Sequence, residues 1–178
     1  MARHHVLRTV AFCAACLLAP VASAAACAGA GTAPDAASVA RAQSATLCLI
    51  NAARSEHGLS PLGATSSLAR AAAAHSHDMA VRDFFSHDSP GGLTPAQRID
   101  RAGYLDGASS WRVGETIAWG VGSAASPASI VRSWLRSPPH RAIILNGRYQ
   151  DVGIGIAVGA PQGAGGGATF TGDFGARG

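Results

Sequence analysis

Residues 152–158 read Val-Gly-Ile-Gly-Ile-Ala-Val and residues 168–174 read Ala-Thr-Phe-Thr-Gly-Asp-Phe, parted by a Gly-rich stretch at 159–167. In the first run Gly alternates with branched aliphatics, the pattern of a strand that another backbone approaches closely. The second is a short strand after a glycine-rich turn, and together they predict a C-terminal hairpin. Upstream, residues 113–119 alternate well enough for one more strand. Everything else with a period reads as helix. The order is helices first, then one strand, a helix and the terminal hairpin. That segregation predicts an α+β fold with an antiparallel sheet rather than a parallel βαβ arrangement.

The helices follow from spacing and punctuation. Leu47, Ile50 and Ala53 recur at helical period within 44–57, and Gly58 stops the run. Residues 59–63 form a turn around Pro61. Thr65 or Ser66 caps a long Ala-rich helix through Leu68, Ala72, His75, Met79 and Val81 to about Phe84. A loop at 86–93 carries Ser89-Pro90-Gly91-Gly92, plain turn chemistry. Thr94-Pro95 and Ser126-Pro127 are caps followed by proline at the first helical position. The first opens a helix with Ile99 and Ala102 that ends at Gly103; the second opens one through Ile130, Val131 and Trp134. Pro138-Pro139 ends that helix, and a short helix or turn follows at 143–145.

The N-terminus has the order of a secretory signal: basic Arg3, His4, His5 and Arg8, an apolar stretch at 9–21, then small residues at 22–26. The stretch is short and broken by Pro20, whereas a membrane span takes about 20 predominantly apolar residues. The expected organisation is a signal peptide at 1–26, an N-terminal arm at 27–43 and one domain at 44–178. The expected location is outside the cell or in the periplasm, with no membrane span after the signal and a monomeric chain. Cys13 and Cys16 fall in the signal, so their spacing is not a redox motif. Cys27 and Cys48 remain, an even pair in an oxidising compartment, which favours a disulfide; two free thiols are the alternative.

All 14 basic residues are Arg, against 10 acids, for a formal charge of +4. The signal takes Arg3 and Arg8 with it, and the rest are scattered along the chain. Scattered Arg makes no phosphate-tracking stripe, so nucleic acid is not an expected partner.

Of the two Glu residues, Glu56 sits on the polar side of the first helix. Glu115 follows Gly114 in an apolar strand, where an unpaired carboxylate is costly to bury. A basic partner should sit near it. His87, in the loop after Phe84-Phe85, and His140, between a double proline and Arg141, occupy connecting segments where site residues concentrate. His75 and His77 are two apart on a helix and cannot share a face. Spacing alone does not bring His87, Glu115 and His140 together.

A set of motifs does. Asn51-Ala52-Ala53-Arg54, His75-Ser76-x-Asp78-Met79-Ala80 and Phe85-Ser86-His87 are followed by Gly114-Glu115-Thr116-Ile117-Ala118. Then come Trp134-Leu135-x-Ser137-Pro138-x-His140-Arg141, Tyr149-x-x-Val152-Gly153-Ile154-Gly155 and Thr171-x-Asp173-Phe174-Gly175. In this order, from about residue 46 to 175, they resemble a bacterial CAP domain (cysteine-rich secretory proteins, antigen 5, pathogenesis-related class 1 proteins). Thr116 stands where the family has Asn. The resemblance implies a three-layer α-β-α sandwich with a small central antiparallel sheet and a cleft holding two His and two Glu. His87, Glu115 and His140 match three of those positions. The second Glu, expected just after Trp134, is replaced by Arg136 and Ser137.

Two His and one carboxylate can hold Zn²⁺ or another divalent cation with an open position. The expected function is a secreted, non-enzymatic binding module that takes a small, lipid-like or polar ligand or a surface partner in that cleft. The alternative is a metal-assisted hydrolase of peptide or cell-envelope material, working through a metal-bound water.

Overall fold

The computed structural model describes residues 27–164 and 166–178. The expected signal peptide, with Cys13 and Cys16, lies outside the described residues. Among the described residues five α-helices alternate unevenly with four strands: α1 Val39–Glu56, β1 Gly63–Ala64, α2 Ser66–Val81, α3 Pro95–Arg101, β2 Trp111–Gly120, α4 Pro127–Arg136, α5 Pro138–Ile144, β3 Asp151–Val158 and β4 Ala168–Arg177. The strands form one sheet in the order β1-β3-β4-β2. β4 pairs antiparallel with both β3 and β2, so the predicted hairpin forms and its second strand becomes the sheet's centre. The antiparallel expectation has one exception: the two-residue β1 pairs parallel with β3. That segment reads as a turn because two residues are too few to show a period.

Side chains alternate between the faces of a strand, and here the two faces meet different layers. Val152, Ile154, Ile156, Phe170 and Phe174 share one core with Ile50 of α1, Ile130, Val131 and Trp134 of α4, and Ile144 of α5. Gly153 and Gly155 face the other way. A Cβ there would stand 2.1 Å from the backbone of α2, at Leu68 and Ala72. The alternating glycines thus let the Ala-rich α2 lie directly on the sheet, with Leu68 and Ala71 packing against Ile99 and Tyr104 beside α3. The result is the α-β-α sandwich.

Several element bounds differ from the sequence reading. α1 begins at Val39 rather than at 44, taking the end of the expected arm into the helix. Nothing between Pro34 and Gly58 breaks a helix, so good helix formers extend it. α2 stops at Val81, short of Phe84, because Asp83 adopts a positive φ of 57°. β2 is longer, Trp111–Gly120, because β4 offers a partner along its whole length. The double proline both closes α4 and opens α5, since proline in the first turn needs no N–H partner.

Thr94 and Gln97 form a reciprocal capping box, and Ser126 accepts from the Ser129 N–H. Thr65 precedes α2 without a side-chain cap, its hydroxyl buried and unpartnered. Cys27 and Cys48 are joined in a disulfide with Cα atoms 5.8 Å apart, pinning the segment before α1 onto that helix.

Candidate functional site

The site lies where edge strand β2 meets α3 and the loop between α2 and α3. Glu115 is 5% exposed and Arg98 is 9% exposed. Arg98 donates from Nη2 to Glu115 Oε2 at 2.5 Å and from Nη1 to the Leu93 carbonyl at 2.9 Å. One guanidinium therefore neutralises the strand carboxylate and ties down the end of the loop. The other carboxylate oxygen, Oε1, accepts from His87 Nδ1 at 2.7 Å. His87 itself remains about half exposed, at 49% of its side chain. With Nδ1 spent on Glu115, its Nε2 is the nitrogen left for other partners.

His75 holds the loop from beneath. It is 1% exposed, and its Nε2 lies 2.9 Å from the carbonyl of Ser86, the residue before His87. Burial, the largest influence, lowers the His75 pKa, so the ring is neutral and Nε2–H donates. The loop then closes through a Gly92 N–H donation to the Ser89 carbonyl. The two histidines that could not share a face do separate: His75 is buried and His77 exposed.

His140 sits in the first turn of α5, half-buried. Its pKa is lowered first by burial and then by His87. His87 and Glu115 are thus in contact, while among the described residues His140 makes no hydrogen bond to either.

The donors of this set are already engaged. Glu115 spends one oxygen on His87 and the other on a guanidinium, a cation that opposes a second cation there. Among the described residues no three His, Cys, Asp or Glu side chains group so as to hold a metal ion. A three-ligand set at His87, Glu115 and His140 does not fit this donor arrangement. Glu115 instead orients an imidazole, the part carboxylates play behind histidine ligands.

Two residues of the site were not selected by sequence reasoning. Arg98 reads as an ordinary basic residue in the last turn of a short helix. The one available signal was the demand that Glu115 have a basic partner. Asp173, in direct register with Glu115 across β2 and β4, is 0% exposed, and neither of its oxygens has a donor. Burial first, and the Glu115 charge next, push its carboxyl well above the usual range. A neutral Asp173 can donate to Glu115, which resolves the missing partner. It escaped notice because Thr169, Thr171 and Asp173 alternate with Phe170 and Phe174 like the polar face of a half-exposed strand, yet α2 covers that face. No second carboxylate comes from α4: Arg136 is exposed and Ser137 lies between α4 and α5.

The profile of the CAP family, the cysteine-rich secretory protein family, matches residues 47–174. A Bacillus subtilis (strain 168) protein, uncharacterized protein YkwD, is 35% identical over 107 residues, 60% of this chain and 39% of its own length. An extracellular protein containing a SCP domain from Bacillus anthracis superimposes with a TM-score of 0.64 at 27% identity, over 79% of this chain and 43% of that one. The chain therefore spans less than half the length of either relative. An outer surface protein of Borrelia burgdorferi shares the fold, with a TM-score of 0.60 at 22% identity over 74% of this chain and 90% of its own. Among the described residues no helix is long and apolar enough to cross a membrane.

Proposed function

The chain belongs to the cysteine-rich secretory protein (CAP) family, and from that premise we propose that it is an exported binding module rather than an enzyme. Residues 1–26 direct its export, and the cleft at His87, Glu115 and His140 takes a small polar ligand or a polar group of an extracellular partner. The observation that carries this reading is the fixed, half-exposed imidazole of His87, anchored at Nδ1 by a carboxylate already neutralised by Arg98. A carboxylate with both oxygens engaged is a poor general base, since it must give up a partner to take a proton. An imidazole held at one nitrogen and open at the other is a good recognition group, because its orientation is settled before binding. The extracellular character of the Bacillus anthracis relative supports export.

The test is a polar-fragment panel followed by amide NMR, run beside peptide, ester and glycan hydrolysis assays with and without Zn²⁺. Fragments should shift the amides of His87, Glu115 and His140, His87→Ala should abolish those shifts, and no substrate should turn over. Turnover that disappears in Glu115→Gln would replace the binding reading with a hydrolytic one.

A further inference from the structure

We propose that Asn146 is a modification site: its side chain cyclises onto the Gly147 nitrogen, loses ammonia and reopens with water as aspartate or isoaspartate. The chain has two asparagines, Asn51 and Asn146, and the fold holds them in opposite ways. Asn51 lies inside α1, before Ala52. Its Nδ2 donates to the Leu62 carbonyl at 3.1 Å, and its Oδ1 accepts from the Leu62 N–H at 2.8 Å. Both ends of that amide are held, and the Ala52 N–H belongs to the helix ladder. Neither group can turn toward the other.

Asn146 sits in the short connection between α5 and β3, and the glycine after it is exposed. Its Oδ1 accepts from the Arg148 N–H at 2.9 Å, which folds the side chain back over the following peptide bond. That bond also polarises Cγ. Among the described residues neither Asn146 Nδ2 nor the Gly147 N–H has a hydrogen-bond partner, so leaving group and nucleophile are both free. Gly147 has no Cβ to hinder the approach. The step needs no oxidant. The Gly147 nitrogen gives its proton to solvent base and bonds to Cγ, and Nδ2 leaves as ammonia. Water then opens the ring at one of its two carbonyls. Opening at the main-chain carbonyl gives isoaspartate, with the chain running through Cβ and Cγ.

The surroundings give the change a structural consequence. Arg54, 1% exposed, donates from Nη1 to the carbonyls of Ile144 at 2.7 Å and Asn146 at 3.0 Å, and from Nε to the Ser60 carbonyl at 3.0 Å. The Asn146 carbonyl also accepts from the Tyr149 N–H at 3.3 Å. These bonds tie the end of α5, the helix that carries His140, to α1. Isoaspartate lengthens the chain by one carbon inside this clamp and turns the clamped carbonyl into a free carboxylate. The product is therefore less stable than the parent and more acidic. None of this depends on what the cleft at His87 binds.

The test holds the purified, folded protein in mildly alkaline buffer, beside a sample unfolded in urea, and maps both by peptide mass spectrometry over time. In the folded protein Asn146 should convert at least tenfold faster than Asn51, faster still as pH rises, with isoaspartate the main product. Gly147→Ala should slow the conversion at least fivefold. Its new Cβ would lie 3.3 Å from Leu59 Cδ2, the end of a flexible side chain, so the fold is kept. The acidic product, separated by ion exchange, should unfold at a lower urea concentration than the untreated protein. Equal rates at the two asparagines, an intact Asn146 in the folded protein while the unfolded one converts, or an unslowed Gly147→Ala would overturn the proposal. An acidic product as stable as its parent would overturn the consequence drawn from Arg54.

Discussion

Replacing Glu115 by Gln keeps the shape of the side chain and removes the charge on which Arg98 depends. With Glu115 5% exposed and Arg98 9% exposed, the change strands a guanidinium in the interior. Breaking a buried pair in this way costs about 3–5 kcal/mol. Asp173 lowers that figure in the single variant, because it lies across the strand pair from Glu115 and can ionise in its place. The full cost therefore belongs to Glu115→Gln with Asp173→Asn, measured against Asp173→Asn alone. With a urea slope of about 2 kcal/mol per molar, that loss moves the unfolding midpoint by roughly 2 M. Equilibrium unfolding followed by tryptophan fluorescence reads it directly. A midpoint within about 0.3 M of the Asp173→Asn reference would refute the buried ion pair, and with it the anchoring of His87.

Trp134 is 0% exposed and donates from Nε1 to the Ile117 carbonyl at 3.1 Å, so Trp134→Ala should cost about 3–5 kcal/mol; an unchanged denaturation midpoint would contradict its place in the core. Asp173 carries a raised pKa, so the folded chain keeps a proton that the unfolded chain releases above about pH 3.9. Its contribution is present below that pH and is lost, at about 1.4 kcal/mol per pH unit, as pH rises through the folded pKa. Asp173→Asn lacks that slope, so its stability relative to wild type should climb from about pH 4 upward; a constant difference would mean that Asp173 ionises normally. The Cys27–Cys48 disulfide closes a separation of 21 residues, and reducing it should cost about 3 kcal/mol in the chain-entropy model. Protein cleaved before Cys27 should show no titratable thiol when denatured without reductant, whereas two thiols would deny the bridge.

The hairpin was readable because Gly153 and Gly155 alternate with aliphatics, and the starts of α3 and α4 because proline follows a capping residue at Thr94 and Ser126. These are local signals whose physics does not depend on the rest of the chain. Residues 39–43 of α1 looked like arm because small residues leave no apolar period, and β1 was invisible because its two residues are too few to show one. At the site, the motif resemblance singled out His87, Glu115 and His140 but not the way they divide their hydrogen bonds. That division depends on Arg98 and Asp173, which reach Glu115 only once α3 and β4 are packed against β2. No periodicity encodes such a meeting. Nor does the sequence say whether Glu115 is free for a metal ion; in the fold both of its oxygens already have partners.

The central claim is that Glu115 fixes His87 so that its outer nitrogen, beside His140, faces a ligand. Imidazole ¹⁵N–¹H spectra of the two histidines, recorded while the tightest polar fragment is added, test it most directly. The account predicts that His87 Nδ1 stays protonated and hydrogen-bonded throughout. His87 Nε2 and the His140 ring should shift together and saturably, and Glu115→Gln should release Nδ1 and weaken the response. Binding that leaves both rings unmoved, or a His87 tautomer protonated at Nε2 alone, would contradict it.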